Sequence, residues 1–480
     1  MVQDILCKIA VVLRESPHVF QGTAISQFRS MIFLWITAVL GASSAVAVEV
    51  STPSQLYALP LDTRVVVCRN LAATSIARLG QLGHLESVAL VFCEIDSASM
   101  QALAAAPIKE LRIEYCKNAQ SGKLSLDHFK SLVSISICQL EIDGELFVRL
   151  ARLPALREFE LSNVNGARMV MDRDLEVLGL SQTLTCVRLL TGIGINLTDR
   201  GISALCAGTR LEVLYVDGLP HLSTQCFRAV SRCREMRVLG LGNDQLLDDL
   251  PAQIPLTLQD ESDLLLVTQL PKLEECNLDC RIGAGNAAFI GLLVQRRTIK
   301  RLSVRGCPDF DNDGCRWLAT IAVEEIDCRD CHKVDDDGVG ALVSIPTLRC
   351  LRCGSTSLPG TIKGIFSQMK VSPLLEELAL DGFDQSPEGS ISVIITNAPL
   401  LRTLRLAKSV KLDARSLERI CESEIQVLDL RGCQWVDAKA LQRLCAMKHL
   451  VRIVLRGCNS LNKADVENAR AALPGCEIIG

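Results

Sequence analysis

The chain is poor in aromatic residues: 12 Phe, 3 Tyr and 3 Trp make up 4% of its 480 positions. So few rings give little to stack bases on, which argues against a single-strand nucleic-acid binder. Nor does one sign of charge prevail, since 51 Lys and Arg face 55 Asp and Glu, a net −4. That balance offers no bulk attraction to a polyanion, and no nucleic-acid partner is expected. Histidine is scarce too. His18, His84, His128, His221, His332 and His449 are scattered without a recurring partner. His332 follows Cys331, but adjacent strand or turn residues diverge, and a nucleophile pair needs a third, orienting group. No phosphate-binding glycine loop, Gly-x-Ser-x-Gly or His-Glu-x-x-His occurs. Neither an enzyme nor a cofactor is expected.

What the chain does have is apolar residues, at 49%, and 22 Cys. The apolar share excludes a disordered chain. A long apolar chain can build its own core, so it has no need of a disulfide framework. The cysteines instead keep a register. Cys93, Cys116, Cys307, Cys331, Cys433 and Cys458 close segments of one shape, among them IKELRIEYC, IQVLDLRGC and LVRIVLRGC. Positions 1, 4 and 6 are apolar and position 9 is Cys, which reads as a small buried thiol. Most thiols are expected to be free.

These segments start at Leu85, Ile108, Leu132, Leu156, Leu184, Leu211, Met236, Leu273, Ile299, Val323, Leu348, Leu375, Leu401, Ile425 and Leu450. The intervals are 23, 24, 24, 28, 27, 25, 37, 26, 24, 25, 27, 26, 24 and 25 residues, too regular for chance. A degenerate copy, TRVVVCRNL, begins at Thr63. Between segments runs an amphipathic helix pattern with an Asp near its start, as in LTDRGISAL, VDDDGVGAL and VDAKALQRL. Pro154, Pro271, Pro346 and Pro399 each stand two residues before a segment, where Pro ends a helix and favours extended chain. One strand and one helix per unit predict an α/β solenoid of about 15 repeats, with parallel strands on its concave face and helices on the convex face.

The units resemble the cysteine-containing leucine-rich repeats, with Leu197-Thr198-Asp199, Gly201-Ile202, Cys331, Val334, Asp335 and Gly338 matching that pattern. Such repeats form ribonuclease-inhibitor-like horseshoes and the substrate-binding arrays of F-box proteins, and the general look is similar to kinetoplastid repeat proteins. The resemblance covers roughly residues 60–480. It implies a monomeric, non-enzymatic protein-binding scaffold, with ubiquitin-ligase subunits among the implied partners and the cytoplasm as its compartment. Nothing in residues 1–60 is similar to an F-box.

The expected domains are an N-terminal apolar segment, 1–60, and a repeat array, 61–480, with an insertion at about 244–263. Met31 to Val48 is uncharged and ends near Ala45-Val46-Ala47, a small-x-small sequence. It reads either as a capping helix or as a signal or anchor that would route the chain to a membrane or the secretory pathway. Asn196-Leu197-Thr198 is a glycosylation sequon that coincides with the repeat's own turn.

Two constellations remain. Cys328, Cys331, Cys350 and Cys353 have zinc-like spacing, but repeat register puts Cys350 on the opposite face from Cys353, so no metal site is expected. Strand alternation places positions 3, 5 and 7 on the concave surface. In the N-terminal half these include Glu110, Glu114, Glu158, Glu160, Asp217, Glu275 and Asp279 against Arg112 and Arg188. In the C-terminal half they include Arg301, Arg305, Arg329, Arg352, Arg405, Arg431, Arg452 and Arg456, against Glu325, Asp327, Glu377, Asp381 and Asp429. Arginine suits bidentate recognition, so the C-terminal half is the predicted docking surface. The other reading is a solvated face whose arginines and acids pair among themselves.

Overall fold

The computed structural model describes residues 47–118, 123–162, 169–190, 196–208, 210–219, 221–242, 261–280, 284–355, 370–382 and 391–480. One 18-stranded sheet runs through them. Each strand pairs in parallel with the strand of the next unit, from Val48–Val50 through to Glu477–Ile479. The register is common to the array: Leu302, Ile326, Leu351, Leu378, Leu404, Leu428, Ile453 and Ile478 lie side by side. These are all position 4 of their segments. A slip by one residue would turn every apolar side chain outward, which is why the register holds.

The sheet is an open α/β solenoid of leucine-rich-repeat type, with helices returning between strands. Position 1, 4 and 6 side chains form the core with the helix face: Leu348, Leu351 and Cys353 are buried against helix residues such as Val339 and Leu342. Burying each such Leu or Ile is worth about 1.5–3 kcal/mol. Asp335, Asp413 and Asp437 cap their helices, accepting first-turn backbone N–H bonds at 2.8–2.9 Å. Asp199 behaves differently. Its carboxylate accepts the N–H and O–H of Ser223 in the next unit, at 3.1 and 2.5 Å.

The position-9 cysteines do more than fill space. Each thiol donates to the position-6 carbonyl of the preceding unit: Cys93 to Cys68, Cys116 to Leu90, Cys307 to Leu278, Cys331 to Val304, Cys433 to Leu406 and Cys458 to Leu430. Distances run from 3.0 to 3.5 Å. The strand ends beyond position 6, so without the thiol these carbonyls would be buried and unpaired. Every described cysteine is a free thiol. Burial pushes Cys68, Cys276 and Cys433 up to about 12, so they stay protonated and inert.

Position 8 turns the chain out of the sheet through positive φ. Glycine supplies it at Gly218, Gly306, Gly382, Gly432 and Gly457, whereas Asn70, Phe92, Tyr115, Gln139, Cys280, Asp330 and Lys408 adopt it with a side chain. The sequence reading did not single out this turn.

Two boundaries differ from expectation in detail. The sheet starts at Val48–Val50, followed by a helix at Pro53–Tyr57 that buries Leu56, inside the stretch read as 1–60. The apolar run 31–48 lies outside the described residues except Ala47 and Val48. Of the insertion, residues 244–260 lie outside them too. Its end, Glu261–Gln269, is a 3-10 helix in which buried Asp263 accepts from Arg228 at 2.8 Å. No helix among the described residues is long and apolar enough to cross a membrane.

Candidate protein-binding surface

The concave face is a strip of side chains from positions 3, 5 and 7, held rigidly because each strand is hydrogen-bonded on both sides. In the C-terminal half its charges are satisfied from within. Arg301 meets Glu275 at 2.6 Å, Arg305 meets Asp330 at 3.3 Å, and Arg329 grips Asp327 at 2.8 Å. Arg352 holds Glu377 with two bonds of 2.7 and 3.0 Å. Arg405 stands between Asp381 (4.0 Å) and Asp429 (3.6 Å), Arg431 meets Asp429 at 3.1 Å, and Arg452 meets Glu477 at 3.6 Å. Of the eight predicted arginines, Arg456 alone is exposed and forms no ion pair with a described residue.

Burial and pairing compete at each carboxylate. Burial alone would push Asp327 up, but the Arg329 guanidinium outweighs it and holds the group below its ordinary value. Glu377 follows the same pattern through Arg352. At Asp381 burial wins: Arg405 is too distant to offset it, one carboxylate oxygen has no hydrogen-bond partner, and the group is shifted upward. Asp279, Asp381 and Asp429 were placed on the open surface by alternation, yet all three are buried. Position 7 abuts the turn of the next unit, which covers it. Asp279 thus accepts from the Ser303 hydroxyl (2.5 Å) and the Arg305 N–H (2.8 Å).

The N-terminal half is different. Arg112 pairs with buried Glu114 on its own strand. Glu110, Glu158 and Glu160 make no ion pair among the described residues. Glu158 and Glu160 accept only from the hydroxyls of Ser134 (3.3 Å) and Ser136 (3.1 Å) on the neighbouring strand. Arg188 stands opposite Glu160 in the register but turns its guanidinium to the Cys186 sulfur, at 2.8 Å. At the rim the Phe92 and Tyr115 rings stack with centroids 5.0 Å apart, Phe92 39% exposed. The acids were legible as residue types. Their lack of partners, and the aromatic pair, were not, because Phe92 and Tyr115 fall at position 8, outside the strand pattern.

The four zinc-like cysteines are split. Cys328 and Cys353 hydrogen-bond to each other inside the core, and Cys331 donates to Val304. Cys350 lies among the concave-face groups Arg352, Glu377 and Glu325. Among the described residues no group of three or more His, Cys, Asp or Glu is arranged to hold a metal ion. The described histidines are exposed, and His449 contacts Glu424 at 3.3 Å.

No family profile and no curated protein sequence matches the chain. Among solved structures it is similar to a leucine-rich-repeat protein of Leptospira interrogans: 19% identity, TM-score 0.42, covering 90% of this chain and 99% of that one. A TLR13–ssRNA13 complex gives 14%, 0.37, 85% and 68%. The yeast Rad7–Elc1 complex gives 13%, 0.36, 100% and 96%. The assignment to the leucine-rich-repeat class therefore rests on the chain's own repeat geometry: one strand and one helix per unit, in parallel and in register.

Proposed function

We propose that this chain is a non-enzymatic scaffold that holds a protein partner on its concave face. The observation that carries this reading is the face itself. Fifteen strands at ~4.8 Å spacing make a rigid strip about 67 Å long, which suits a folded protein or a long peptide better than a small metabolite. The predicted arginines belong to this strip. Seven of them order it through internal pairs, and Arg456 is free to meet an acid of the partner. A photo-crosslinking residue at Arg456 and another at Glu418, on the convex side, test this in the full chain. Adducts from position 456 and none from position 418 are expected. Adducts confined to position 418 would remove the concave face from the proposal.

A narrower form is a substrate receptor for ubiquitin-dependent degradation in the cytoplasm, supported by the resemblance of the repeats to F-box arrays. Co-purification of ligase subunits with the tagged chain tests it, and their absence from a stable complex would count against it. The second reading is a membrane-anchored or secreted receptor-like protein using the same face, favoured by the uncharged run Met31 to Val48. Mapping the mature N-terminus separates the two. A chain starting near Val48 with a glycan on Asn196 supports the second, and an intact Met1 supports the first.

A further inference from the structure

The two halves of the concave face solve the same electrostatic problem differently. From Glu275 to Glu477, acids and arginines alternate and neutralise each other across neighbouring strands. From Glu110 to Glu160, three carboxylates stand on strands separated by a serine strand that carries no cation. Serine hydroxyls orient Glu158 and Glu160 without neutralising them. Arg188, the nearest base in register, points its guanidinium to sulfur instead. At the opposite edge of the same strands, Phe92 and Tyr115 hold positive φ where five other units use glycine. A bulky side chain rarely adopts that conformation, and residues kept there against the local preference cluster at recognition sites. The stacked pair presents ring surface that a guanidinium or ammonium can cover.

We infer that the N-terminal half of the concave face, from the Phe92–Tyr115 stack to Glu110, Glu158 and Glu160, docks a basic, extended segment of a partner protein. This deepens the scaffold reading and rests on it. Charge complementarity selects the occupant: an acidic segment would meet uncompensated carboxylates, and a neutral one would leave them buried without partners. From position 3 to position 8 a strand covers five residues, ~16 Å. The docked stretch is therefore short, about five extended residues, with one Lys or Arg over the aromatic pair and others at the glutamates.

A random twelve-residue peptide display library, selected on the full-length chain, tests this, with selected peptides then titrated by fluorescence anisotropy. Peptides rich in Lys and Arg are expected to emerge. Their binding should fall about tenfold or more in Glu158→Gln/Glu160→Gln, weaken with added salt, and stay unchanged in the convex control Glu418→Gln. Phe92→Gly relieves the positive-φ strain, so it should weaken binding severalfold while the melting temperature holds. That combination marks a recognition role and not a structural one. Two results overturn the inference: basic peptides that bind Glu158→Gln/Glu160→Gln as well as the parent, or enrichment of acidic peptides lost in Arg431→Glu/Arg456→Glu. The second leaves the scaffold reading standing, with the other half of the face as its surface. Selected peptides insensitive to every concave substitution would bring down both.

Discussion

At the scale of single residues, the repeat makes one unusual demand, a left-handed backbone at position 8. Lys408 meets it at φ 52°, beside Gly432 of the next unit at φ 69°. An L-residue there carries about 1–2 kcal/mol of strain, of which glycine's greater chain entropy returns part. Lys408→Gly should therefore stabilise the protein by about 0.5–1 kcal/mol, read as a higher melting temperature. Gly432→Ala should cost about 1–2 kcal/mol, since the new Cβ would also stand 2.9 Å from Lys408 Cγ. If both substitutions leave the melting temperature unmoved, position 8 bears no strain. Cysteine illustrates what a residue type conceals. Its recurrence at position 9 was visible as a pattern and was read as packing. The carbonyl it satisfies sits a whole unit back in the chain, and only the stacked structure brings the two together.

At the scale of strands, alternation told which side chains share a face but not which of them reach each other. Arg352 and Glu377 were both on the concave list. Their bidentate contact depends on the one-strand offset between neighbouring units and on the length of each side chain, which a periodicity cannot resolve. The pair also has a pH signature. Burial pushes Glu377 up, but Arg352 outweighs burial and its folded pKa lies below the ordinary 4.5. A depressed acid contributes stability that is fully present above 4.5 and is lost as the pH falls through the folded value. Glu377→Gln should cost about 1–3 kcal/mol at neutral pH, where it strands a half-buried guanidinium. The parent and the variant should converge in acid. Denaturant titrations at pH 7 and at pH 3 check this, and a gap that widened in acid would contradict the assigned sign. The strand and helix order was legible almost throughout, because periods near 25 residues with Pro and Asp markers leave little freedom. The buried position-7 acids were not, because a neighbouring turn covers them and no single unit contains that contact.

At the scale of the whole molecule, each unit touches only its neighbours, so stability is a sum of local and nearest-neighbour terms and not a property of one core. The thiols report on this. Native alkylation followed by mass spectrometry should label Cys280, Cys421, Cys445 and Cys476, which are partly accessible, before any buried cysteine. In mild denaturant the terminal thiols Cys68 and Cys458 should react before central Cys276 and Cys307, as the ends open first. Simultaneous labelling of all sites would show a single cooperative unit.

The common register of position 4 has a consequence for how such a chain can be edited. Units are interchangeable in length only as wholes. Excising Val323 to Thr347, 25 residues, would set Leu302 beside Leu351 with every inward side chain still inward. Removing one residue fewer would turn the joined strand over and put its polar row into the core. Changes of length in this molecule are thus quantised, and a shorter or longer relative should differ from it by whole turns of the coil.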